Sequence, residues 1–164
     1  MINKNKIEII KIMINEVIKI APSFYGMSMA PRESWEKYGY ALLTIAGSDG
    51  EVSEPEMDWL VVEAAEALDI GDETITNWRN FDFASGDLAS IFASFNTLSV
   101  ASFKKLLIYD AIRMSAADGE YSIDEREKVF EAANLLRVNP EDLLSIEALI
   151  EMESALDKMR LNIF

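Results

Sequence analysis

An eight-residue stretch occurs twice in this chain of 164 residues: DGEVSEPE, from Asp49 to Glu56, returns as DGEYSIDE, from Asp118 to Glu125. The echo reaches outward. Tyr40 and Tyr109 hold the same place relative to the two Asp-Gly-Glu triplets, and Glu63-Ala64-Ala65 answers Glu131-Ala132-Ala133. The Asp-Gly-Glu triplets lie 69 residues apart and the Glu-Ala-Ala triplets 68, so the copies differ by a single-residue insertion or deletion. Each copy reads as helix, acidic turn, helix. A duplicated unit of this kind is expected to pack against its twin about a pseudo-twofold axis, which brings two acidic turns into one structure.

Apolar residues recur at helical spacing on both sides of the first turn: Tyr38, Leu42, Ile45 and Ala46 before it, Trp59, Leu60, Ala64, Ala67 and Leu68 after it. Helices are predicted over about 34–48 and 55–68, the second ended by Gly71. The second copy predicts helices over 99–117 and 123–136. Phe103, Leu106, Leu107, Tyr109, Ala111 and Ile112 are spread widely enough to make the first of these a central, mostly buried element. Between the copies, 74–80 and 86–95 read as two short helices. Asn139 is the expected N-cap of a last helix, with Pro140 at its first position, where a missing N–H costs nothing. At the other end, residues 2–21 predict an amphipathic helix with Ile10, Met13, Ile14 and Val17 on one face, stopping before Pro22. A loop over 22–33 follows, bearing Met27 and Met29. No segment alternates as a strand would. The expectation is all-α: a single domain over 1–164, one compact bundle of seven to eight helices built on two pseudo-symmetric repeats.

Composition removes several chemistries. There is no cysteine, hence no disulfide, thiolate ligand or thiol nucleophile, and no histidine, hence no Ser-His-Asp arrangement. A formal charge of −14 argues against nucleic acid as a partner. The ten acids between Asp49 and Glu73, with no Lys or Arg among them, form a field that attracts cations or basic proteins. Lys4, Lys6, Glu8, Lys11, Glu16 and Lys19 interrupt the isoleucine-rich N-terminus, so neither a secretory signal nor a spanning helix is expected. The expected location is cytoplasmic, with peripheral membrane contact as an alternative use of the first helix.

The two turns hold the candidate chemistry. Gly50 and Gly119 supply the positive φ of a tight turn, while Ser53 with Glu56, and Ser122 with Glu125, fit the Ser-x-x-Glu capping box. A cap needs no metal, but it leaves the aspartates unexplained: Asp49 and Asp118 fall at helix C-termini, where the macrodipole disfavours negative charge. Either local backbone N–H groups or a cation would compensate. Each turn imitates the second half of an EF-hand loop, yet the first two ligand positions would be Ile45 and Gly47, or Met114 and Ala116, so neither turn is a self-sufficient calcium loop. Two facing half-sites could still assemble an oxygen shell from Asp49, Glu56, Asp118 and Glu125, with Glu51 and Glu120 as outer ligands. Oxygen-only donors favour Ca²⁺, Mg²⁺ or Mn²⁺ over zinc.

AGSDGEVSEPE and SAADGEYSIDE, each between an apolar and an amphipathic helix, resemble the TerB family of tellurite-resistance proteins, whose fold also forms a domain of a membrane-anchored DnaJ-type co-chaperone. The resemblance covers about residues 35–150. It implies an all-helical fold of two related halves, acidic residues that bind divalent metal, a role in stress or tellurium-oxyanion resistance without catalysis, and partners that include a membrane protein. Carried across residue by residue, it implicates Asp49, Glu51 and Glu56 in the first motif and Asp118, Glu120 and Glu125 in the second. The N-terminal helix and the Met27–Met29 loop depart from the pattern. Three functions follow: a metal-responsive binding module, an interaction module whose turns are only caps and whose acidic face docks a basic protein, and an enzyme using paired carboxylates. For the last, nothing else in the chain supplies a nucleophile or a phosphate loop. A non-enzyme is expected.

Overall fold

The computed structural model describes residues 32–95 and 101–163. The predicted N-terminal helix lies outside the described residues, as does nearly all of the loop that follows it. Among the described residues seven helices occur in order: α1 (Arg32–Ala46), α2, α3 (Asp72–Arg79), α4 (Leu88–Ala93), α5 (Ala101–Ser115), α6 (Ile123–Leu136) and α7 (Pro140–Ile163). α2 is composite, with α-helical turns at Glu54–Asp58 and Ala65–Ala67 flanking a π-helical stretch, Trp59–Ala64. Among the described residues there is no strand, and the all-α expectation is met.

The duplication is written in the backbone. Each incoming helix tightens before its glycine, with Gly50 N–H donating to the Gly47 carbonyl and Gly119 N–H to the Ala116 carbonyl, both at 3.1 Å. Both glycines then take positive φ, 106° and 94°, which a side chain would resist. The outgoing helices also end alike. Ile70 N–H reaches the Ala65 carbonyl and Val138 N–H the Ala133 carbonyl, each at 2.9 Å, around Asp69 and Arg137 at φ 54° and 56°. This is the Schellman closure, made twice without glycine. Gly71, expected to end α2, instead precedes α3 in extended geometry. A short polar aspartate tolerates the left-handed region, so the closing position falls at Asp69 and not at Gly71, while the helix ends within a residue of the predicted 68.

The extra residue of the first copy is also visible. Seven residues separate Glu56 from Glu63, but six separate Glu125 from Glu131. α2 accommodates the surplus by widening into its π-helical stretch, whereas α6 is regular throughout. Glu56, Ala64 and Ala65 therefore keep the buried stations of Glu125, Ala132 and Ala133.

As predicted, α5 is the central element, packed against α7, α1 and α6. Its Phe103, Leu107, Ile108 and Ala111 join Tyr38, Leu42 and Ile45 of α1 in the core. Two glycines of the first copy make room for rings. The fully buried Trp78 lies where a side chain at Gly39 would project, and its indole N–H donates to the Glu36 carbonyl at 3.1 Å. Phe83 covers Gly47 in the same way.

Candidate functional site

Both predicted capping boxes form. Ser53 N–H donates to Glu56 Oε2 at 2.6 Å while Glu56 N–H donates to the Ser53 hydroxyl at 3.4 Å. In the second copy the Ser122 N–H to Glu125 Oε2 distance is 2.7 Å and the return bond 3.2 Å. These reciprocal bonds fold each glutamate back toward its own helix start. They also direct the carboxyl groups inward, so that Glu56 and Glu125 are only 4% and 3% exposed.

The two side chains meet there. The Glu56 carboxyl lies close enough to that of Glu125 for the two to interact. Equivalent residues of two repeats meet when they lie close to the axis that relates the repeats. Burial pushes Glu56 up to about 7; its bonds to Ser53 pull the other way, and the Glu125 carboxyl beside it pushes it further up. Near neutral pH the Glu56 carboxyl therefore takes up a proton far more readily than an ordinary glutamate, while its Oε2 accepts from the Ser53 backbone.

The other four predicted residues are placed differently. Asp49 Oδ1 accepts from Glu51 N–H at 3.1 Å, and Asp118 Oδ1 from Glu120 N–H at 2.8 Å. The aspartates at the helix ends are thus compensated locally by backbone donors, and Asp49, Glu51, Asp118 and Glu120 are all exposed. Of the six candidates the fold unites Glu56 with Glu125. Among the described residues no group of three or more acidic side chains surrounds a point where a metal ion would sit.

Two polar features centre on residues of the second copy that the first copy lacks, Asp110 opposite Ala41 and Arg113 opposite Thr44. Asp110 is buried on α5 and accepts from the Tyr38 hydroxyl at 2.5 Å; burial pushes its carboxyl up to about 6, against the pull of that bond. Its counterpart in the first copy is Ala41, so comparing the copies gave no warning. The signal available was a lone acid in an otherwise apolar helix. Nearby, Arg113 stacks over Trp59 and Tyr109 at 5.8 and 5.7 Å, and the Tyr109 hydroxyl donates to Glu153 at 2.8 Å. These side chains border a groove of about 600 Å³ between α2, α5 and α7. Trp59 walls that groove, while Trp78 is core and Trp35 packs against Tyr38 and Phe103.

No family model matches the chain, and no curated protein matches it in sequence. A solved structure does: a tellurite resistance protein from Nostoc punctiforme PCC 73102 is similar with a TM-score of 0.72 and 28% sequence identity, over 92% of this chain and 93% of that one. The likeness extends beyond the 35–150 region that carries the sequence motifs, and the resemblance to TerB-type proteins holds at the level of the whole fold. Among the described residues no helix is long and apolar enough to cross a membrane.

Proposed function

We propose that this protein is a non-enzymatic, cation-responsive helical module of TerB type, acting in tellurite or related stress resistance, with the Glu56–Glu125 pair as its responsive element. The observation that carries the reading is the burial of these two equivalent carboxyl groups against each other. A divalent cation there would take the place of the proton on Glu56 and relieve the repulsion between two charged carboxylates. That repulsion amounts to roughly 3–4 kcal/mol at about 4–5 Å and an effective dielectric of 20.

The donor set narrows the choice of ion. Each glutamate already spends one oxygen on a serine N–H, which leaves two carboxylates rather than a cage. Mg²⁺ and Mn²⁺, which are held by one or two carboxylates and keep several waters, suit this better than Ca²⁺, which takes six to eight oxygens. Asp49, Glu51, Asp118 and Glu120 serve as an outer acidic field that concentrates cations near the pair. The likeness to a tellurite resistance protein supports the physiological setting, with a basic protein or a membrane-associated complex in the cytoplasm as the partner.

Calorimetric titration with Mn²⁺ tests this. Wild type is expected to bind with release of a proton near neutral pH, a Glu56→Gln, Glu125→Gln double variant to lose binding, and an Asp49→Asn, Asp118→Asn variant to keep it. Absence of binding in wild type, or equal binding in the glutamine variant, would overturn the reading. The second reading, an interaction module whose turns are only caps, draws on the completeness of both capping boxes and the local satisfaction of both aspartates. It expects salt-sensitive capture of a basic partner that chelator leaves unchanged.

A further inference from the structure

α7 has two apolar faces, and the fold uses one of them. Leu143 is buried and Ile146 and Ile150 are half-buried against the core. On an adjacent face Met152, Leu156, Met159 and Ile163 follow at spacings of four, three and four, and all four are between 51% and 66% exposed. From 154 to 163 every residue of the helix is exposed. A helix in a protein is held chiefly by the packing of an apolar face, so a fully exposed end with an apolar stripe is built to be covered.

We propose that a second copy of this chain covers the stripe, with the two α7 helices antiparallel about a twofold axis between Leu156 and Met159. The charge order along α7 selects this occupant. The helix carries acids and no base as far as Glu153, and both its bases, Lys158 and Arg160, come in the last turns. Reversing one copy against another sets the basic end of each along the acidic stretch of its twin. The stripe is also complementary to itself. Spacings of four, three and four read the same in both directions, as a twofold seam requires.

Opposed in this way, Leu156 meets the partner's Met159 and Met152 meets the partner's Ile163, which stacks the apolar layers along about 17 Å. Glu153 and Arg160 hold the same place in the repeat, one heptad apart, on the edge of the stripe nearer the core. The antiparallel pair sets Glu153 beside the partner's Arg160, and does so twice. Both side chains are positioned for it. Glu153 is held by the Tyr109 hydroxyl at 2.8 Å, and Arg160, paired with Asp157 of its own helix at 2.9 Å, has donors for a second carboxylate. Sliding the pair to set Leu149 opposite Met159 would bring Glu153 against its own image. A parallel pair would leave Glu153 and Arg160 facing Ala148 and Ala155.

A seam this short makes a small interface, and the association is reversible. Sedimentation equilibrium of the full chain at physiological ionic strength, where the repulsion between two chains of −14 is screened, is expected to show monomer and dimer in exchange at concentrations up to about 200 μM. Leu156→Asp is expected to abolish the dimer with helical circular dichroism unchanged, because the residue is exposed in the single chain. Leu144→Asp, exposed on α7 but off the stripe, should leave the dimer intact. A wild type that stays monomeric, or a Leu156→Asp variant that dimerises like wild type, would overturn the proposal. The absence of cysteine lets disulfides report the direction of pairing. A Met152→Cys, Ile163→Cys double variant has its two thiols about 16 Å apart on one helix, too far to close within a chain. Under mild oxidation it is expected to form disulfides between chains, joining the peptide that contains position 152 to the one that contains 163, while each single variant keeps its thiol. A single variant that joins to its own image, as a parallel pair would, refutes the arrangement, and so does a double variant that remains reduced.

Discussion

Asp110 carries its carboxyl in the core, 2.5 Å from the Tyr38 hydroxyl, and burial pushes it up to about 6 from an ordinary 3.8. The folded state therefore holds this proton more tightly than the unfolded chain does. The sign follows: the contribution to stability is greatest below the unfolded value, falls as pH rises toward about 6, and stays low above it. Asn at this position keeps an acceptor for the hydroxyl but carries no charge. Asp110→Asn is expected to match wild type near pH 4 and to exceed it by roughly 1–3 kcal/mol above pH 7, in urea unfolding across a pH series. A difference that does not vary with pH would count against the buried charge as its cause. The same scale shows the limits of reading residues in order. Asp49 and Asp118 were recognisable as acids at the wrong helix end, but the donors that compensate them are their own neighbours' N–H groups, a matter of turn geometry rather than composition. The capping glutamates looked fully explained by the caps, yet the bonds that close each box also aim its carboxyl at the other copy.

At the level of elements, the π-helical stretch of α2 is slack, and α6 has none. One residue of the π-helical stretch is surplus against α6, and Val62, 53% exposed, can be removed without taking a side chain from the core. Deleting it should return α2 to regular α geometry with Glu56, Ala64 and Ala65 still at their buried stations. The variant is expected to keep wild-type helicity and a thermal midpoint no lower than wild type. Deleting Phe130 from α6, an equally exposed site, has no bulge to consume. It rotates one flank by about 100° relative to the other, and either Glu125 or Ala132 and Ala133 must leave the core. That variant should unfold at a much lower temperature. Matching thermal scans for the two deletions would refute this account of the bulge. Every helix boundary within the described residues was legible to within a few residues, because Ser, Asn-Pro and Gly-turn signals agreed with the apolar spacing. What was not legible was the residue that closes α2, which is Asp69 and not Gly71. Asp69 and Arg137 adopt positive φ because backbone bonds to Ala65 and Ala133 over-determine it, and propensity alone points to the glycine downstream.

For the whole molecule, the formal charge is −14, and among the described residues Lys105–Asp142 and Arg126–Glu147 pair across separate elements at 2.9 and 3.3 Å. Exposed pairs of this kind contribute at most about 1 kcal/mol, so self-repulsion is the larger electrostatic effect. The thermal midpoint is expected to rise from low salt to physiological ionic strength, as screening relieves that repulsion. A falling midpoint would mean that attractive pairs dominate. In the sequence the duplication suggested a pseudo-twofold, but it could not say which residues the axis passes between. That depends on how α1, α5 and the paired turns pack, which becomes definite only in three dimensions.

The meeting of Glu56 with Glu125 also bears on descent. Had the repeat once been a separate polypeptide assembling as a symmetric dimer, this glutamate would have faced its own image. One altered codon would then have changed both partners together. Fusion of the halves would then release that constraint, leaving each side free to drift alone. The neighbouring positions have done so, from Val52 to Tyr121 and from Pro55 to Asp124, while the interacting carboxyl groups still match.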